Sequence, residues 1–368
     1  MSGEFDPTLE LGLPPEKMVI CGCRGFLSRN DSTRDICAHF IPDGEHFYDL
    51  LSRYDCLVTY VLGRDDLVAG NVPKYALPFL KAYGATNYLI YKAAKESLRL
   101  VDNAPEVMKY LADLLPTFIT TSSYDQALMA LEEKLRTPLC ESEPTEYDYT
   151  TGQIGRIGSK VLREMAAEMN SLEIPDVTYQ FNVPTNLDKR DIKIIQKLDH
   201  FLGDGMTDEG RLAMESCQPM DSSKKAYRIL DLRRQRGIDL DGTIYIGDDH
   251  TDYQSLSLVK DSSGLAMSFN GSEIAIRGSN ITVISESATV GAVLAGTFYD
   301  KGIQAVLDLA DKWDRGFADS GDFPDRHLAD RLLSEKKFPE VYATDDVDLD
   351  DLCEKSEKMR DRMIKGEI

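Results

Sequence analysis

Residues 245–256 read YIGDDHTDYQSL. The apolar run Thr243–Ile246 stops at a glycine, and the aspartates Asp248, Asp249 and Asp252 follow. Carboxylates gathered at a strand end repel one another unless a cation or hydrogen-bond donors compensate. Hard oxygen ligands there suit Mg²⁺, which takes few protein carboxylates and keeps several waters. An Asp-rich turn capping the next helix would use the same residues, so the stretch alone leaves both readings open. Other apolar runs tip the balance: Met18–Cys21, Thr117–Thr120, Leu265–Phe269 and Ile281–Ile284 also end in small or polar residues, with helical patterns between them. Strands alternating with helices predict a three-layer α/β fold around an open, mostly parallel sheet. In such sheets ligands sit beyond the carboxyl ends of the strands.

Three further strand ends therefore matter. FITTSSYDQAL (118–128) ends a run in hydroxyls and predicts a helix start where Thr121 and the backbone N–H groups of Ser122 and Ser123 would hold a phosphate. Simple N-capping is the alternative. SSKKAYRIL (222–230) places Lys224 and Lys225 in a first helical turn, where cations oppose the helix dipole and so point to a nearby anion. Ordinary surface lysine is the alternative there. MVICGCRGFLSRND (18–31) runs from a strand into a glycine-bearing turn, and no carboxylate stands at the strand end.

In this order the four stretches resemble the motifs of the haloacid dehalogenase superfamily of phosphohydrolases, over roughly residues 17–313. HFIPDGEHFYDLLSRYD, LPFLKAYG and GLAMSFNG resemble an archaeal branch found in methanogens, sometimes labelled subunit R of energy-converting hydrogenase A. The resemblance implies a Rossmannoid core, a helical cap after the first strand and a second helical insertion. It gives Thr121 the hydroxyl role, Lys225 the lysine role, and Asp248 and Asp252 the acidic roles, with Asp249 beside them. The family's nucleophilic aspartate falls on Gly22 and its general acid on Arg24, while Gly25 keeps the family glycine. A shift by one would put Cys21 and Cys23 on the two acids but set Arg24 where the glycine belongs.

Glycine has no side chain to attack phosphorus, and arginine stays protonated. The expectation is a protein of this fold that has lost hydrolase activity and is retained to bind phosphate or other anions, to regulate or to assemble. Arg24, with its planar fork, would join Thr121, Ser122, Ser123 and Lys225 as an anion contact. One alternative is a Mg²⁺-dependent phosphohydrolase acting on a small phosphorylated metabolite. Another is an accessory subunit of a methanogen redox complex. Mg²⁺ at Asp248, Asp249 and Asp252 is expected only if the site is still open; otherwise Arg24 pairs with Asp248 or Asp252 in place of the ion. A rival set, Cys21, Cys23, Cys37 and His39, would suit Zn or Fe, although buried thiols are the default. Cys23 adjoins Arg24, which can lower a thiol pKa, yet it lies between the two catalytic slots. His250 is expected at the surface.

The implied division is a core of residues 1–25, 102–148 and 220–318, a helical cap at 26–101, a helical insertion at 149–219 and an acidic tail at 319–368. In the cap, Phe47, Leu50, Leu51 and Tyr54 share a helical face; in the insertion, helical patterns surround Ile157–Met169 and Ile192–Leu202. The tail reads as a solvated helix or disordered end. Over all 368 residues, 42 Lys and Arg against 63 Asp and Glu give a formal charge of −21, which argues against nucleic acid as a partner. MSGEFDPTLE has no signal-peptide pattern, and Ala288–Tyr299 is too short to span a bilayer. Seven cysteines suit a reducing compartment. A cytoplasmic protein is expected, its partner a phosphate-containing small molecule or a protein; a homo-oligomer is compatible with the sequence.

Overall fold

The computed structural model describes residues 17–63, 68–136, 141–174, 179–180, 183–184, 187–320, 323 and 325–368. Strands β1 (Met18–Cys21), β2 (Thr117–Tyr124), β3 (Glu141–Tyr147), β4 (Cys217–Gln218), β5 (Thr243–Gly247), β6 (Leu265–Phe269), β7 (Ile281–Ile284) and β8 (Glu340–Ala343) form one sheet. Its order is β8-β7-β6-β5-β1-β2-β3-β4. Pairing is parallel except at the edges, where β8 runs against β7 and β4 against β3. Every residue of β1, β5, β6 and β7 is buried, which is why these strands read as unbroken apolar runs rather than alternating ones. The chain steps from β1 to β2 on one side and later returns to β5 on the other. That reversal opens a crevice at the carboxyl ends of β1 and β5.

Between β1 and β2 lie α1 (Ser32–Phe40), α2 (Gly44–Cys56), α3 (Val72–Ala82), α4 (Asn87–Ser97) and α5 (Ala104–Leu114). Helix α6 (Asp125–Leu135) follows β2, and α7 (Arg156–Met169), α8 (Lys189–Leu202) and α9 (Asp208–Glu215) stand between β3 and β4. After β4 come α10 (Ser222–Arg236), α11 (Tyr253–Asp261), α12 (Glu273–Gly278), α13 (Thr289–Lys301), α14 (Ile303–Asp311), α15 (Arg315–Asp319), α16 (Arg326–Leu333) and α17 (Leu349–Lys365). One sheet face packs Ile20 and Tyr245 against Ile229 of α10 and Leu256 of α11. The other packs Val19 and Ile246 against Leu111 of α5, Leu294 of α13 and Met359 of α17. Helices thus cover both faces, and the architecture is the three-layer α/β arrangement that the strand pattern predicts. Among the described residues no helix is long and apolar enough to cross a membrane.

The chain leaves the sheet through Leu27 and Arg29 and returns beside them. Val101 N–H donates to Leu27 O at 3.0 Å, and Arg29 N–H donates to Arg99 O at 2.8 Å. Phe47, Leu50, Leu51 and Tyr54 are all buried, as their helical spacing requires. They share a core with Leu162 and Met169 of α7 and Leu198 and Phe201 of α8. The segments expected as two separate insertions therefore bury one apolar surface between them.

Two expectations are corrected. Strand β2 continues to Tyr124 and α6 starts at Asp125, so no helix opens at Thr121. The segment read as a solvated or disordered end supplies β8 and α17. Its sparse apolar residues Leu352, Met359 and Met363 fall on one helical face and enter the main core.

Candidate functional site

At the end of β1, Gly22 N–H donates to Ile246 O at 2.8 Å. A Cβ at Gly22 would lie 3.6 Å from Ile246 O and 3.9 Å from Asp252 Oδ2, ordinary contacts that leave room for a side chain. Gly25 differs. Its φ is +79°, and a Cβ there would sit 2.6 Å from Phe269 O and 2.9 Å from Asp248 Cβ. The glycine lets a tight turn form, in which Leu27 and Ser28 N–H donate to Cys23 O at 2.9 and 2.8 Å. The turn brings Arg24 over the end of β5.

Arg24 gathers three carboxylates. Its Nε donates to Asp248 Oδ2 at 2.6 Å, its Nη1 to Asp31 Oδ2 at 2.8 Å, and its Nη2 to Asp249 Oδ2. Asp31 caps α1 and also accepts from Tyr48 OH at 2.7 Å, so the cap takes part. Arg360 of α17 reaches the same carboxylate; its Nη1 donates to Asp248 O at 2.6 Å and to Asp248 Oδ2 at 3.1 Å. Asp252 is held differently. Its Oδ1 accepts from Lys225 Nζ and Tyr245 OH, each at 2.8 Å, and its Oδ2 accepts from the N–H groups of Asp248 and Asp249. Lys225 and Asp252 are both buried.

His250 is also buried, not at the surface as expected. Its Nδ1 lies 3.1 Å from Asp249 Oδ1 and its Nε2 lies 3.3 Å from Asp55 Oδ2. Tyr60 OH donates to His250 O at 2.8 Å. Asp55 and Tyr60 come from the cap region, and their packing over the acidic turn is what buries the imidazole.

The protonation states follow from these partners. Burial pushes Asp248 up to about 6, against the downward pull of Arg24 and Arg360. Burial opposes ionisation of Asp249 as well, but Arg24 and His250 outweigh it and hold that carboxyl well below its ordinary value. For Asp252 burial is outweighed by Lys225 and the result is again downward. Burial disfavours a charged His250, yet Asp249 and Asp55 raise its pKa well above the ordinary range. With a carboxylate at each ring nitrogen, the imidazolium donates through both.

A crevice of about 80 Å³ adjoins the network, lined by Cys23, Thr33, Tyr48, Thr121, Ser123 and Lys225 among others. Of the residues expected to contact an anion, Ser122 Oγ donates to Met220 O at 3.1 Å. Ser123 N–H donates to Thr121 Oγ1 at 3.1 Å, and Ser123 Oγ lies 2.7 Å from Thr33 Oγ1. Arg24 and Lys225 are engaged by carboxylates. Desolvation pushes the Cys23 thiol up to about 12, so it is no ready nucleophile.

Cys21 lies in the core under the sheet, Cys37 in the core of the cap, and His39 is exposed. The proposed Zn or Fe set is therefore not assembled, because the turn after β1 sends Cys37 into a different core. For Mg²⁺ the donor set does not fit either: Gly22 offers no carboxylate, while Asp248 and Asp249 already accept from guanidinium groups. Among the described residues no group of three or more His, Cys, Asp or Glu is arranged to hold a metal.

No family model and no curated protein sequence matches the chain. Among solved structures it is similar to gene product AF1437 from Archaeoglobus fulgidus, with 21% identity, a TM-score of 0.76, and 95% of this chain and 97% of that chain covered. The likeness is one of fold. A phosphoserine phosphatase in apo form aligns over 74% of this chain and 95% of its own, with 11% identity and a TM-score of 0.43. A substrate-bound phosphoserine phosphatase gives 12% identity and 0.44 over the same shares. Both are too remote to bear on the chemistry of this chain.

Asp31, Tyr48, Asp55, Tyr60 and Arg360 were not legible as site residues. Asp31 carried a signal in its N-cap position before a helical pattern, which accounts for its capping and not for its hold on Arg24. Nothing in the sequence near Arg360 points to Asp248, 112 residues away.

Proposed function

We propose that this chain is a phosphohydrolase-type protein of the haloacid dehalogenase class that no longer hydrolyses phosphate esters. Its former reaction centre serves as an ionic joint between core, cap and C-terminal helix, and the protein acts by binding or assembly. The observation that carries this reading is Arg24, engaged with Asp31, Asp248 and Asp249 next to a nucleophile position occupied by Gly22. Losing the nucleophile of a cooperating site typically leaves only about 10³–10⁴ of rate over water. Arg24 also supports the loss of the proton donor, since a guanidinium does not give up its proton. The remaining crevice is small and lined by hydroxyls together with apolar groups such as Leu98 and Leu128, with its cations already paired, which favours a small ligand of mixed character or a protein partner over a free phosphate. The test is an assay of full-length protein with p-nitrophenyl phosphate and a panel of phosphorylated metabolites. No Mg²⁺-dependent turnover is expected; turnover that disappears in Asp248→Asn would refute the reading.

A further inference from the structure

We infer that the guanidinium groups of Arg24 and Arg360 together take the cation position of the acidic cluster, so that α17 supplies a built-in counter-ion to the turn after β5 and no divalent cation binds there. The inference rests on the non-hydrolytic reading above and adds what replaced the metal. Asp248 Oδ2 accepts from both arginines, Asp249 Oδ2 accepts from Arg24, and Arg360 Nη2 lies 3.6 Å from Asp249 Oδ1. The main-chain oxygen of Asp248 is taken as well, by Arg360 Nη1 at 2.6 Å. A hard divalent cation needs such oxygens and would have to displace both groups to reach them. Neither arginine can be neutralised by losing a proton, so each repels an incoming ion at any ordinary pH.

The placement of Arg360 is built, not incidental. Ser356 Oγ donates to Gly271 O at 2.7 Å, Asn270 Nδ2 contacts Met363 Sδ at 3.3 Å, and Arg99 Nη2 donates to Ile364 O at 2.9 Å. Ser356, Arg360 and Met363 stand four and three residues apart, on one helical face. That face is sealed on the loop after β6, and only 14% of the Arg360 side chain is exposed. Planar forks suit this role, because one guanidinium aims several N–H groups at different oxygens, which a lysine cannot do.

Full-length protein titrated with Mn²⁺, the free ion followed by electron paramagnetic resonance, tests the inference. Wild type should show no saturable binding up to millimolar Mn²⁺. Arg24→Gln with Arg360→Gln should bind at least about tenfold more tightly than wild type, and adding Asp248→Asn should abolish the gain. Saturable submillimolar binding by wild type overturns the inference, as does a cooperatively folded double variant that gains none. Should the double variant not fold, Arg360→Lys serves, read by hydrogen exchange. Faster exchange in α17 is expected once the fork is lost, and unchanged exchange overturns the inference. Wild type that binds Mn²⁺ yet hydrolyses nothing would sink this inference alone, whereas turnover would sink the reading beneath it.

Discussion

His250 and Asp249 face each other at 3.1 Å, and their titrations pull stability in opposite directions with pH. The folded-state pKa of His250 is raised above its unfolded value of about 6.5. Its contribution is therefore fully present below about pH 6.5 and is lost as pH rises through the folded value. Asp249 is depressed below an unfolded value of about 3.9; its contribution is present above that pH and is lost as pH falls through the folded value. Asp248 works against Asp249, since a pKa raised to about 6 means stability declines between about pH 4 and 6 as it ionises. Melting temperatures measured across pH should fall from neutral toward alkaline solution in wild type, and His250→Gln should flatten that alkaline limb. An identical alkaline slope in the variant would show that His250 is not held as an imidazolium.

The turn after β1 sets where those side chains stand. Gly22 and Gly25 are three residues apart but are glycines for different reasons. Gly25 has a left-handed backbone and main-chain and side-chain atoms within 3 Å of where a Cβ would be. Gly22 has neither constraint. Gly25→Ala should cost at least about 1–3 kcal/mol from backbone strain alone, with more from the contact with Phe269 O. Gly22→Ala should change stability by less than about 0.5 kcal/mol. Urea unfolding of the two variants checks this, and equal losses would contradict the geometry. The contrast also means that space at Gly22 does not by itself exclude a side chain there.

Across the molecule, Arg24 ties the turn after β1 and the start of α1, through Asp31, to the acidic turn after β5, 224 residues away in the chain at Asp248, where Arg360 of α17 also lands. Only 16% of its side chain is exposed, so its partners would be left as poorly solvated carboxylates if it were removed. Breaking such a pair from one side costs about 3–5 kcal/mol, whereas an exposed pair is worth about 0–1. Arg24→Met should thus destabilise the protein by the larger amount and speed hydrogen exchange in α1. A loss under about 1 kcal/mol, with α1 unchanged, would place Arg24 among surface ion pairs.

What the sequence determined by itself was short-range. The central parallel strands are buried on both faces, so each is a continuous apolar run that declares itself locally, and its end marks the crevice. Arg24 could be set against Asp248 because both follow the ends of adjacent strands. The helical faces of Phe47, Leu50, Leu51 and Tyr54 were legible for the same reason: periodicity is a local record of burial. Tertiary structure decided the rest. Strand β2 overruns Thr121 because its pairing with β3 shifts between Thr120 and Tyr124 and carries the strand on, a partner choice no local pattern encodes. Asp55 and Arg360 reach the acidic turn only because α17 and the helices that follow β1 pack against the sheet. The burial of His250 follows from that packing too. Charge pairing across such distances leaves no periodic trace in a chain. Docking of whole elements sets which carboxylates are neutralised.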